Sequence, residues 1–151
     1  MTETAAPQAA AQPASRVIAR SRARNTGGRW ETQLRVGHHD LIADESTRLE
    51  GQDKGPAPFE YLLAALGSCT AITLRMYAER KAWPLTTIEV DLVYREEAGA
   101  AIIDRTIAFA GPLDDAQRAR LAEMAERTPI TRVLKTGADI RTTIAQEEAR
   151  P

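Results

Sequence analysis

Apolar residues recur along this chain in two rhythms, and the switches between them mark out its elements. Within residues 29–36, Trp30, Leu34 and Val36 fall on alternate positions, the period of a half-buried strand. Residues 17–23 before them and 41–43 after them also read as strands. Asn25-Thr-Gly-Gly28 and Gly37-His-His-Asp40 separate the three with turn residues, since glycine admits positive φ. This spacing predicts an N-terminal meander. A helical run follows from Phe59 to Lys81, interrupted only by Gly67, entered through Pro56 and Pro58 and left at Trp83-Pro84. Projected at about 100° per residue, Leu62, Ala65, Leu66, Cys69, Ile72, Thr73 and Met76 share one face, the expected core stripe. Alternation returns at Ile88, Val90, Leu92 and Tyr94 within 86–95 and again in 101–110, with a loop at 96–100. Asp114 followed by Gln117 predicts a capped helix whose apolar side is Leu113, Leu121, Met124 and Ala125. Thr128 and Pro129 then supply the N-cap and first residue of a short helix that Gly137 ends. Residues 140–145 read as a last strand.

Strands and helices arrive in blocks, not in βαβ alternation. The expected fold is α+β, with a mostly antiparallel sheet packed on one long central helix. A single domain is expected over 16–145, between a disordered tail at 1–15, rich in Ala, Pro and Gln, and a C-terminal tail at 146–151.

Composition narrows the function classes. At 151 residues, 43% hydrophobic and 27% charged, the chain suits one globular domain, neither disordered nor membrane-embedded. A net charge of −1 provides no general attraction to nucleic acid or anionic lipid, and neither partner is expected. Arg16, Arg20, Arg22 and Arg24 read as a solvated strand face. The opening segment has no apolar block of the secretory kind, and no later run approaches the ~18–20 apolar residues of a membrane span. One cysteine and no export signal point to the reducing cytoplasm. His38-His39-Asp40 lacks the further ligands of a tetrahedral metal set, and adjacent residues on an extended chain face opposite ways. A solvated turn is expected there, with no metal and no cofactor.

Cys69 is the chemically distinctive residue. On the expected core stripe it is either a small buried hydrophobe or a reaction centre. Without a second cysteine in the chain, its redox chemistry needs an outside thiol. Gly67 and Ser68 beside it mark a place where another backbone approaches closely, such as a second copy of the helix.

The run Gly55-Pro56-x-Pro58-x-Glu60-x-Leu62-Leu63-Ala64-Ala65-Leu66-Gly67-Ser68-Cys69-Thr70, followed by Arg75-Met76-Tyr77-Ala78, resembles the first cysteine helix of the OsmC/Ohr superfamily. It is most similar to the general OsmC-like branch. His39-x-Leu41-x-Ala43-Asp44-Glu45, Ala82-Trp83-Pro84-Leu85, Thr128-Pro129-Ile130, Leu134 and Ile140-Arg141-Thr142 fit the same branch in order. The resemblance implies an intertwined homodimer with active sites at the subunit interface and a thiol peroxidase activity toward organic hydroperoxides. In that chemistry the first cysteine, matched by Cys69, attacks the peroxide O–O bond and becomes a sulfenic acid. A second cysteine before a proline then closes a disulfide, which a dithiol such as a lipoylated protein reduces. Here Thr128 stands at that second position. A hydroxyl cannot resolve a sulfenic acid, so an external thiol reductant is required.

The resemblance also implies activating groups. Arg29 resembles the Ohr-branch arginine that holds the thiolate. Glu60 is a candidate for the glutamate, although it lies nine residues before Cys69, about 180° around an ideal helix. The Ohr-type position itself is held by Phe59. Phe59, Leu62, Leu66 and Thr128 are expected to line the substrate pocket, favouring apolar hydroperoxides. Two functions follow: a cytoplasmic, homodimeric single-cysteine peroxidase, or a non-enzymatic module of the same fold that binds a small apolar ligand and uses Cys69 as packing.

Overall fold

Glycine turns fold the first segment into the expected meander. In the computed structural model, which describes residues 16–145, β1 (Ser21–Asn25), β2 (Thr32–Val36) and β3 (His39–Ala43) form an antiparallel sheet in that order. Ser21 pairs with Val36 and Thr32 with Ala43. The tails expected at 1–15 and 146–151 lie outside the described residues. The first strand sits four residues later than its apolar signal: Val17 and Ile18 are exposed ahead of it, and Gly37 N–H bonds to Arg20 O at the sheet's end. Trp30 belongs to the turn before β2, not to the strand. The second turn contracts to Gly37-His38, with Gly37 at φ 60°. Because His38 lies in that turn, its ring meets that of His39 at 3.9 Å instead of facing away.

After β3, residues 44–56 form a loop held from within. Asp44 is buried, and its carboxylate accepts N–H bonds from Glu45 (2.8 Å), Gln52 (3.1 Å) and Lys54 (3.2 Å). Burial raises the Asp44 pKa, but these three donors, with the nearby Lys54 charge, outweigh it and hold the carboxyl below its ordinary value. Gly55 passes so close to β3 that a Cβ there would stand 2.0 Å from Ile42 O.

The chain divides after Pro56 into two compact units. The second begins with α1 (Pro58–Arg80), followed by the hairpin β4 (Thr87–Glu97) and β5 (Ala100–Ala110), then α2 (Asp115–Ala125) and α3 (Pro129–Thr136). The hairpin turns on Ala98-Gly99, both at positive φ, so its strands run one or two residues longer than the expected loop at 96–100 allows. Asp114 and Gln117 cap α2 reciprocally, as their spacing predicts. Gly137 at φ 78° ends α3. α1 packs against β4, α2 and α3. Leu74, Ala78, Leu85, Leu113, Leu121 and Ala125 make the core, flanked by Trp83, Ile88, Ile107 and Phe109.

Three expectations change. The buried stripe of α1 is Leu66, Thr70, Leu74 and Ala78, while Ile72 and Met76 are 59% and 55% exposed. The stripe is rotated because β4, α2 and α3 cover a different side from the one on which the apolar residues are densest. By length and composition alone, α1 is also long and apolar enough to cross a membrane, contrary to the reading that no run approached that length. Finally, residues 140–145 form no strand. Ile140 and Ile144 are each 86% exposed, and no described strand lies alongside to take up the segment's backbone hydrogen bonds.

The sheet is therefore two antiparallel pieces, one in each unit, and the architecture is α+β as expected.

Candidate functional site

Cys69 occupies the middle of α1, half-buried and with a free thiol. It borders the buried stripe, one residue before Thr70. Two features bring the helix close to the hairpin here. Gly67 lets Leu92 of β4 approach, since a Cβ would lie 3.1 Å from Leu92 Cδ1. Thr70 turns its hydroxyl back to Leu66 O at 2.8 Å, an internal bond that leaves its oxygen free to accept. Within this chain the neighbour at Gly67 is a side chain, not another backbone as expected.

Leu66 is buried, Leu62 half-buried and Phe59 exposed, so the three expected pocket residues on α1 stand in different surroundings. Phe59 stacks on Tyr94 of β4, with ring centroids 4.4 Å apart. Glu60 sits in the first turn, where its carboxylate accepts the Ala57 N–H at 2.8 Å. At 1.5 Å per residue it stands about 13 Å along the axis from Cys69. The helix start needs that carboxylate, because Ala57 at the N-cap has no side-chain oxygen to offer.

Arg29 belongs to the N-terminal unit. It adopts φ 57°, a left-handed conformation, and the Asn25 amide fixes its carbonyl at 2.9 Å. Its guanidinium pairs with Glu50 and lies 5.7 Å from the centre of the Trp30 ring. Trp30 Nε1 in turn donates to Leu49 O at 3.1 Å. The carboxylate partner of Arg29 in this unit is Glu50, a residue that helix spacing from Cys69 gave no reason to choose.

Thr128 stands at the N-cap of α3, fully buried, with the backbone angles of a cap. Thr128 and Pro129 thus hold the N-cap and first helical positions that the sequence predicts, but the Thr128 hydroxyl serves another purpose. That hydroxyl lies 2.7 Å from Thr131 Oγ1 and makes no side-chain bond to the α3 backbone. The diversion has a cause. Arg105 of β5, with its side chain only 11% exposed, reaches into the same place, donating from Nη1 to Thr131 Oγ1 (3.0 Å) and Thr70 Oγ1 (3.1 Å) and from Nη2 to Glu126 Oε1 (2.9 Å). A buried guanidinium needs acceptors, and the threonines supply them. Lys135 also pairs with Glu126. The Lys135 hydrogen bond first, and Arg105 after it, hold the Glu126 carboxyl below its ordinary range despite partial burial. This network ties α1, β5 and α3 together, through Thr70 next to Cys69 in the chain. Reading from motifs missed it, although Arg105 shares the inward parity of Ile103, Ile107 and Phe109 on β5.

Relatives agree with this architecture. The model of the OsmC-like protein family matches residues 51–143, more than half of the chain. No curated protein sequence matches significantly. Among solved structures, the OsmC-like protein from Mycoplasma pneumoniae is similar with a TM-score of 0.68 at 13% identity, over 79% of this chain and 88% of that one. The organic hydroperoxide resistance protein OsmC from Legionella pneumophila gives 0.60 at 13% identity, over 81% and 92%. The organic hydroperoxide resistance protein OhrB of Bacillus subtilis gives 0.56 at 17% identity, over 79% and 91%. At these identities the similarity speaks for the fold, and the family follows from the sequence match: this chain belongs to the OsmC-like protein family, within the OsmC/Ohr superfamily.

Proposed function

We propose that this protein is a stress-defence thiol peroxidase acting on organic hydroperoxides, with Cys69 as its only redox-active residue. The observation that carries the reading is the free, half-buried thiol of Cys69 at mid-α1 in an OsmC-like chain. The Cys69 thiolate attacks the distal peroxide oxygen. An S–O bond forms as the O–O bond breaks, and the departing alkoxide takes a proton to leave as the alcohol. An external thiol then attacks the sulfenic sulfur, releasing water and leaving a mixed disulfide. A second thiol frees Cys69 and carries away the oxidised pair. Thr128 offers no sulfur for an internal disulfide, so turnover is set by the external reductant. Arg29 is the cation proposed for the thiolate, with Glu50 as the carboxylate that orients it. Glu60 contributes by closing the first turn of α1. The proposed setting is the reducing cytoplasm, where a lone thiol stays available.

The proposed working form is a homodimer. Ile72 and Met76 on α1 and Ile140 and Ile144 at the C-terminal end are large apolar residues left in water, and 140–145 keeps strand-like alternation without a strand to join. A second copy of the chain would cover both.

The test is stoichiometric cumene hydroperoxide added to the reduced protein, with hydrogen peroxide in parallel. Cys69 should gain one oxygen by mass, faster with the organic peroxide, and dihydrolipoamide should reverse the change. Cys69→Ser should lose all peroxide-dependent consumption of the thiol. A Cys69→Ser protein with full turnover removes this mechanism.

A second reading, a non-enzymatic module for small apolar ligands, is favoured by the buried Thr128 hydroxyl in place of a resolving thiol. A Cys69 that stays unmodified under excess peroxide selects it.

A further inference from the structure

An arginine at an inward position of a strand is costly, and β5 carries one. Ile103, Arg105, Ile107 and Phe109 alternate toward the interior, and Arg105 lies opposite Leu92 in the hairpin register. A leucine or valine there would complete the apolar face. Instead the guanidinium is nearly buried and spends three of its five N–H groups within the protein, two on Thr70 and Thr131 and one on Glu126. Among the described residues, Nε–H and the second Nη2–H donate to no protein oxygen.

Arg105 also lines a cavity of about 370 Å³ between the start of β5, α1 and α3. This volume falls within the range of small-molecule sites. Its lining combines apolar side chains, Leu66, Ile103 and Leu134, with charged ones, Arg105, Glu126 and Lys135. Two cations share one carboxylate there, since Glu126 takes both Arg105 and Lys135. The lining therefore carries a net positive charge, and Arg105 keeps unspent donors.

We propose that this cavity binds a small amphipathic carboxylate, its apolar chain along Leu66, Ile103 and Leu134 and its headgroup on Arg105 and Lys135. A guanidinium holds a carboxylate through parallel N–H bonds, which lend direction as well as charge. The threonines fix the guanidinium plane in advance, so little ordering remains to be done on binding. Glu126 is the internal competitor for the ligand's headgroup. The site does not use Cys69, so it stands or falls independently of the peroxidase reading.

The test is isothermal titration of the full chain with octanoate, and with 1-octanol and octylamine as uncharged and cationic controls of equal chain length. Octanoate should saturate one site per chain and bind at least tenfold more tightly than either control. Glu126→Gln, which removes the competing charge and keeps the side chain's size, should tighten octanoate several-fold and leave octanol unchanged. A merely structural Glu126 would not produce that gain. Lys135→Met leaves the buried threonine bonds intact and should weaken octanoate alone, and it decides the matter if Glu126→Gln fails to fold. Octanoate that does not saturate, or that binds no better than octanol, overturns the proposal. So does a folded Glu126→Gln protein with unchanged or weaker octanoate binding, or a Lys135→Met protein with unaltered octanoate affinity.

Discussion

In the proposed peroxidase, Thr128 is the side chain that decides how oxidised Cys69 is reduced. Its backbone keeps the cap geometry ahead of Pro129, while its hydroxyl joins Thr131 and, through it, Arg105. A sulfur at this position would be nucleophilic; an oxygen is only a hydrogen-bonding group. Thr128→Cys should therefore change the fate of oxidised Cys69. Under one equivalent of organic peroxide the product should be an internal disulfide, two hydrogens lighter than the reduced protein, in place of a sulfenic acid sixteen mass units heavier. Intact-protein mass spectrometry distinguishes the two, and a stable sulfenic acid in the variant would show that residue 128 does not reach Cys69. Cys69 and Thr128 were legible in the chain because each sits in a local motif. Arg105 was not, because its role depends on three residues far from it in sequence.

Elements were legible where local chemistry sets them. The proline entry and exit of α1, the reciprocal cap of α2 and the glycine stop of α3 all act within a few residues, and each helix lies where those signals put it. Which face of α1 is buried was not legible. That depends on where β4, α2 and α3 lie, and they chose Leu66, Thr70, Leu74 and Ala78 over the side carrying Ile72 and Met76. The joint between β5 and α2 is equally non-local. Gly111 has φ 118°, and a Cβ there would lie 2.1 Å from Pro84 O, while Arg118 donates to the carbonyls of Phe109 (2.9 Å) and Gly111 (3.2 Å). Gly111→Ala should cost roughly 1–3 kcal/mol from backbone strain alone, and more where Pro84 has to move. Leu121→Ala, at a fully buried position of α2, should cost about 2–5 kcal/mol. Urea denaturation measures both, and a Gly111→Ala protein of unchanged midpoint would show that the joint relaxes freely.

At the scale of the whole molecule, the proposed homodimer would cover apolar residues that the single chain leaves exposed. Ile140 and Ile144 fall on one parity of the sequence, and Ile72 and Met76 on α1 are exposed. If a second copy covers them, light scattering should give twice the 16.5 kDa chain mass. Replacing Ile140 and Ile144 together by Asp should shift the equilibrium toward the single chain and lower thermal stability in a concentration-dependent way. A protein that is monomeric at micromolar concentration removes the dimer from the proposal.

From order and chemistry along the chain alone came the α+β class, the succession of elements as far as α3, the likeness to the OsmC/Ohr superfamily and the choice of Cys69. All of these rest on short-range rules: periodicity, capping, turn residues and motif spacing. Tertiary packing settled which stripe of α1 is buried, that Glu50 is the carboxylate paired with Arg29 in the N-terminal unit, and that Thr128 belongs to a buried arginine network. Those are choices of partner, and a partner is chosen by where the folded backbone brings distant residues together.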